Sequence, residues 1–138
     1  MTNKSISILV IEDEPHIRNI LEHNLKLDGF EVYVAEDGSS GLKLAREKHL
    51  DLILLDWMMP GMDGMEVLAE LKRDEKTEHI PVFMLTAKGT THDLGQALFM
   101  GADDYIAKPF DPVEMGTIIM DKLKKTSRKD ANMKKIIN

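Results

Sequence analysis

Asp56 ends an almost unbroken apolar run, Leu52-Ile53-Leu54-Leu55, and is followed by Trp57-Met58-Met59-Pro60-Gly61. A short apolar run closed by turn residues reads as a strand buried on both faces. A carboxylate at the carboxyl end of such a strand lies on the rim of a parallel sheet, where the ligand sites of open α/β folds collect. Three further strand-like runs end in polar residues: Glu12-Asp13 after the first, Thr86 after the fourth and Lys108 after the fifth. Glu12, Asp13 and Asp56 would bring together three carboxylates, whose like charges oppose joint ionisation. A hard divalent cation relieves that repulsion, and all-oxygen ligands suit magnesium, or manganese in its place. Magnesium also takes phosphate oxygens, Lys108 supplies a point positive charge, and Thr86 supplies a hydroxyl donor. The set suits phosphoryl chemistry: a metal and an ammonium neutralise the equatorial oxygens while a carboxylate attacks in line.

Taken singly, each residue has an ordinary reading. A lone aspartate after a strand is a turn residue, and Glu12-Asp13 ahead of Glu14-Pro15 is a helix cap. Thr86 is a strand-end hydroxyl, and Lys108-Pro109 is a loop. Their joint occurrence at four of five strand ends favours the site.

The elements that must position these groups alternate along the chain. Ile6 to Ile11 is β-rich, and Pro15 suits the first turn of a helix whose apolar face is Ile17, Ile20, Leu21 and Leu25, stopped near Gly29. Phe30 to Ala35 is a second strand, with Val32 and Val34 on one face. Asp37-Gly38 opens a helix carrying Leu42, Leu44 and Ala45. After the strand at 51–55, Asp63 can cap a helix with Val67, Leu68 and Leu71 inward. Pro81 leads into Val82-Phe83-Met84-Leu85. A helix over about 90–99 carries the apolar residues Leu94, Ala97 and Leu98 and is weakened by Gly95. Tyr105-Ile106-Ala107 is a short fifth strand. Asp111-Pro112-Val113-Glu114 reads as N-cap, first-turn proline and capping-box acid of a last helix. Five βα units without repeats imply a doubly wound α/β fold: a flavodoxin-like five-stranded parallel sheet, order 2-1-3-4-5, with five flanking helices. In that order strands 1, 3, 4 and 5 are consecutive, so the four polar ends share one rim.

The chain has 138 residues, 43% of them hydrophobic, enough for one domain with a core. It has no cysteine, which excludes disulfides, thiolate metal sites and thiol nucleophiles. No apolar run approaches the roughly 20 residues of a membrane helix, and Met1-Thr2-Asn3-Lys4-Ser5 does not resemble a signal peptide. A cytoplasmic protein is expected. Residues 122–138 hold seven Lys/Arg against Asp130 alone, a net of +6, so within the total of −6 the remaining residues carry −12. The acidic body argues against nucleic-acid binding. The basic tail reads as a solvated helix end or linker. The expected organisation is a domain over 1–125 and a basic tail or linker remnant over 126–138.

Four segments carry a resemblance: Ile8 to Glu14, Asp51 to Gly64, Pro81 to Lys88 and Gly101 to Phe110. In this order and spacing, across about 5–124, the chain resembles a response-regulator receiver domain of two-component signalling systems, the fold of the chemotaxis response regulator. The resemblance implies that Asp56 accepts a phosphoryl group from a phosphohistidine on a sensor histidine kinase or phosphotransfer protein. It implies that Asp13 holds magnesium directly, Glu12 through water, and the Met58 backbone carbonyl completes the protein ligands. Thr86 and Lys108 would bind the phosphoryl group, Lys108-Pro109 would be a cis peptide, and Tyr105 would be the aromatic that turns inward when Thr86 shifts. Such a switch moves a pre-existing equilibrium by about 1–3 kcal/mol and re-forms the face of the fourth helix, fifth strand and fifth helix for a downstream protein target. Met58 and Lys88 stand at positions that tune phosphoryl lifetime.

Asp103-Asp104-Tyr105 is similar to the winged-helix transcription-factor subfamily, whose receivers dimerise through salt bridges on that face. Leu94 and Ile118 stand where arginines are expected, which leaves a more apolar surface for a partner protein. A monomer or a phosphorylation-dependent dimer is open. So is the ending: a natural single-domain regulator, favoured by the Lys/Asn-rich terminus, or the receiver of a longer chain. A haloacid-dehalogenase-like phosphatase needs a second aspartate where Met58 stands, and a flavodoxin-like FMN binder needs a Ser/Thr/Gly-rich loop where Glu12-Asp13-Glu14 stands. A degenerate receiver that only binds protein would not need the intact set. The five histidines (His16, His23, His49, His79, His92) lack metal-ligand spacing.

Overall fold

A computed structural model describes residues 5–87 and 91–137 of the chain. Five βα units follow in order: β1 (Ser7–Ile11), α1 (Pro15–Leu27), β2 (Glu31–Ala35), α2 (Gly38–Glu47), β3 (Leu52–Asp56), α3 (Gly64–Arg73), β4 (Val82–Thr86), α4 (Thr91–Phe99), β5 (Asp104–Ala107) and α5 (Met115–Ile137). The strands form one parallel sheet in the order β2-β1-β3-β4-β5, as the alternation predicts.

The sheet separates two cores. Leu9, Ile11, Ile53, Leu55, Val82 and Met84 point to the side covered by α2, α3 and Ala97 of α4. Ile8, Val10, Leu52, Leu54, Phe83 and Leu85 point to the side of α1 and α5. Alternate residues of each central strand therefore bury on opposite faces, and β1, β3 and β4 have no exposed position.

Local capping follows the sequence. Glu14 caps α1 by accepting from the N–H groups of His16 and Ile17, Asp37 caps α2 through Ser40, and Asp63 caps α3 through Glu66. Gly29 follows α1 with φ of 95°, the left-handed conformation that a helix stop uses. α2 lies close on the sheet because Gly41 presents no side chain; a Cβ there would come within 2.5 Å of Ile11 Cδ1. Lys72 ties two loops together: its Nζ donates to the carbonyls of Ile80 (3.0 Å) and Glu78 (3.3 Å) and lies 3.6 Å from Asp103 Oδ2.

One expectation is corrected. α5 begins at Met115, not at Pro112. Asp111 Oδ1 accepts from the N–H of Val113, two residues on, and 112–114 form a separate turn, so no capping box is made. In α4, Ala97 is buried and Leu98 is 46% exposed; the Leu94 side chain lies outside the described residues. α5 continues as helix to Ile137, through the segment read as a tail.

Candidate functional site

Strand register decides which side chains meet. Ile11 pairs with Leu55, so Glu12 falls beside Asp56, and Asp56 pairs with Leu85, one residue before Thr86. Thr86 in turn pairs with Ala107, one residue before Lys108. The Lys108 N–H donates to the Thr86 carbonyl at 2.7 Å, and the Lys108–Pro109 peptide is cis. All four polar strand ends thus lie on one rim of the sheet.

Glu12 is fully buried, and Asp56 and Thr86 nearly so. Carboxylate oxygens of Glu12, Asp13 and Asp56 all lie within 4.8 Å of one another. Lys108 Nζ donates to Glu12 Oε1 at 2.7 Å and to Asp56 Oδ1 at 3.0 Å. Glu12 Oε2 also accepts from the N–H of Glu14 at 3.5 Å. Burial pushes the Asp56 carboxyl up, its hydrogen bond with Glu12 pushes it further, and Lys108 opposes both; the result is about 8. Burial disfavours the Lys108 ammonium, but hydrogen bonds to Glu12 and Asp56 outweigh it and raise its pKa.

Three carboxylates, all oxygen donors, converge here, and two of them share the Lys108 ammonium. That donor set suits a hard divalent cation, which would favour the ionised form of Asp56. Glu12 and Asp13 from the β1–α1 loop and Asp56 from β3 are the side chains that could hold it.

The ammonium already carries much of the local balance. Lys108→Met should therefore destabilise the metal-free protein by about 2–4 kcal/mol at pH 8, because a buried acid pair loses its cation. The loss should shrink at pH 5, where Asp56 is protonated. Urea denaturation at the two pH values checks this; an equal loss at both would show that packing, not charge, was removed.

The other candidate positions lie around this cluster. Met58 is 75% exposed in the loop after β3. Trp57 packs on the α2–α3 core, and its N–H donates to the Leu85 carbonyl at 3.0 Å. Tyr105 is 37% exposed on β5, with the Lys122 ammonium 5.7 Å from its ring centre. The acids on that side are partnered within the chain, Asp104 with Lys122 at 3.1 Å and Asp103 with Lys72. Leu98, Phe99 and Met100 are exposed at the end of α4. Lys88 lies outside the described residues. Arg18 was not legible as a site neighbour. Its Nη1 reaches the carbonyls of Glu12 and Asp13, and the only available signal is that helical side chains lean toward their own N-terminus.

Comparison with known proteins now bears on this geometry. A family model described as the response regulator receiver domain matches residues 8–120. The chain is 46% identical over 121 residues to the DNA-binding dual master transcriptional regulator RpaA of Synechocystis, covering 88% of this chain and 50% of that protein. It is 48% identical over 108 residues to the phosphate regulon transcriptional regulatory protein PhoB of Escherichia coli, covering 78% of this chain and 47% of that one. The chain therefore spans about half the length of the curated relatives it matches. Among solved structures, a CheY-like response regulator receiver domain protein from Methanospirillum hungatei superposes with a TM-score of 0.81 at 26% identity, covering 91% of this chain and 99% of that one. The receiver domain of a Francisella response regulator gives 0.79 at 31%, covering 88% and 99%. Among the described residues, no helix is long and apolar enough to cross a membrane.

Proposed function

The chain belongs to the response regulator receiver domain family of two-component systems, and on that premise we propose that it is a phosphoacceptor using Asp56. An ionised Asp56 oxygen attacks the phosphorus of a phosphohistidine on a sensor histidine kinase or phosphotransfer protein. The new P–O bond forms as the P–N bond breaks, and the departing imidazole nitrogen keeps the bonding pair and takes up a proton. Asp13, Asp56 and the Met58 carbonyl, with Glu12 through water, would hold magnesium, which would supply positive charge to the phosphoryl oxygens. Lys108 pairs with the transferred group, and Thr86 donates its hydroxyl to a phosphoryl oxygen. The chain catalyses only its own phosphorylation and dephosphorylation. Its output is a change in the α4–β5–α5 face, with Tyr105 turning inward, read by a downstream protein.

One observation carries this reading: Glu12, Asp13 and Asp56 converge within 4.8 Å, and the Lys108 ammonium pairs with the two buried ones, Glu12 and Asp56. A nucleophile pushed up to about 8 is mostly protonated at neutral pH without further positive charge. The same cation that would bind phosphate would therefore also free the nucleophile.

Intact mass after incubation with acetyl phosphate tests the proposal. A gain of one phosphoryl group with magnesium, and none when magnesium is chelated, is the expected result. No gain under either condition would mean a receiver that binds protein without accepting phosphate.

A further inference from the structure

The β1–α1 loop carries two of the three carboxylates, and something must keep it in place. The N–H of Glu12 still belongs to the sheet, donating to the Ala35 carbonyl at 3.1 Å. Beyond that point the strand has ended. The carbonyls of Glu12 and Asp13 turn instead to Arg18, whose Nη1 donates to them at 2.9 and 3.4 Å. Arg18 sits in the second turn of α1 and reaches back over the helix start. Its N–H donates to the Glu14 carbonyl at 3.0 Å, so its backbone is anchored in the helix while its side chain holds the loop.

Glu12 and Asp13, and Asp56 once ionised, lie within 4.8 Å and repel one another, and a loose loop would relieve that by swinging Asp13 outward. Resting on the metal-assisted reading above, we infer that Arg18 is a positioning residue for the metal centre. Its guanidinium fixes the peptide planes that carry Glu12 and Asp13, so their carboxylates face Asp56 before a cation arrives. Both bonds go to backbone carbonyls, so Arg18 leaves the carboxylates available to a cation. Removing groups that orient ligands in this way typically costs about 10–100-fold in metal affinity.

Arg18 also has an opposite effect. Its positive charge near the acids disfavours a second cation. The two effects predict different outcomes, and two variants separate them. Arg18→Met removes hydrogen bonds and charge together. Arg18→Lys keeps the charge but replaces a planar fork with a point donor. The magnesium concentration at half-effect is read from the rise in thermal midpoint across a titration, and the rate of phosphoryl gain from acetyl phosphate is followed over the same range.

Both variants should need about tenfold more magnesium for half-effect, with the rate deficit recovered as magnesium is raised. The midpoint without metal shows in the same titration that each variant folds. Half-effect unchanged in Arg18→Lys and lowered in Arg18→Met would overturn the inference, leaving Arg18 as a charge alone. A rate deficit that magnesium does not recover would overturn it too. Absence of any magnesium effect on the wild-type chain would remove the metal-assisted reading itself, a failure distinct from a wild-type effect that Arg18 does not influence.

Discussion

Asp56→Asn should make the metal-free protein more stable at pH 8, by about 1–3 kcal/mol, while removing its capacity to accept a phosphoryl group. The stability gain follows from the cost of ionising a buried acid next to Glu12. The Asp56 carboxyl rises from an ordinary 3.8 to about 8 on folding. Between those values the folded chain holds a proton that the unfolded chain has released. Wild-type stability should therefore fall as pH rises from about 4 to about 8 and level off above. Asparagine has nearly the same shape and never ionises, so the variant lacks that slope. Its Nδ2 cannot accept from Lys108, but Oδ1 can, and Glu12 keeps its own bond to the ammonium. Urea denaturation with a chelator at pH 5 and pH 8 checks this. The two proteins should be close at pH 5 and separate at pH 8. Equal stability at both values would mean that Asp56 is already ionised and well compensated in the fold.

Gly64→Ala should be far more damaging than its size suggests, at about 3 kcal/mol or more. A Cβ at Gly64 would come within 2.7 Å of Trp57 Cα and 3.0 Å of the Trp57 carbonyl oxygen, and closer still to the Asp56 carbonyl oxygen. All three are backbone atoms, so no side chain can turn aside. The Gly64 N–H also donates to the Trp57 carbonyl at 2.9 Å, a bond that would be lost if α3 moved away. The residues displaced are Asp56 itself and its neighbour, so phosphoryl gain should fall together with stability. Gly95→Ala is the contrast, because nothing lies within 4 Å of a Cβ there. In helical α4 it should stabilise by about 0.5–1 kcal/mol. Thermal and urea denaturation of the two variants give the comparison. Similar small effects at both sites would mean that α3 can slide on the β3–α3 loop.

Much of this was legible in the chain because the relevant signals are local. Apolar runs ending at Ile11, Leu55, Leu85 and Ala107 marked four of the strands, and the polar residue after each marked the rim. Alternation of strands and helices then implied a parallel sheet, and five units fit the 2-1-3-4-5 order that brings Glu12, Asp56, Thr86 and Lys108 together. Capping by Asp37 and Asp63 is also local, decided within three residues. The misreading has a different origin. Asp111-Pro112-Val113-Glu114 satisfies a helix-start pattern, yet Asp111 bonds two residues ahead instead of three, a choice between competing turns that the pattern does not distinguish. Gly64, Lys72 and Lys122 owe their roles to groups that the fold brings near. Lys122 pairs with Asp104, 18 residues away, and no helical or strand period links the two.

Locating the phosphoryl group tests the central proposal most directly. Borohydride reduces an aspartyl phosphate to homoserine, which peptide mapping assigns to a position. After incubation with acetyl phosphate and magnesium, homoserine at position 56 alone is the expected result, with none when magnesium is chelated. Homoserine at Asp13 or another acid, or its formation without magnesium, would contradict a metal-assisted phosphoacceptor built on Asp56.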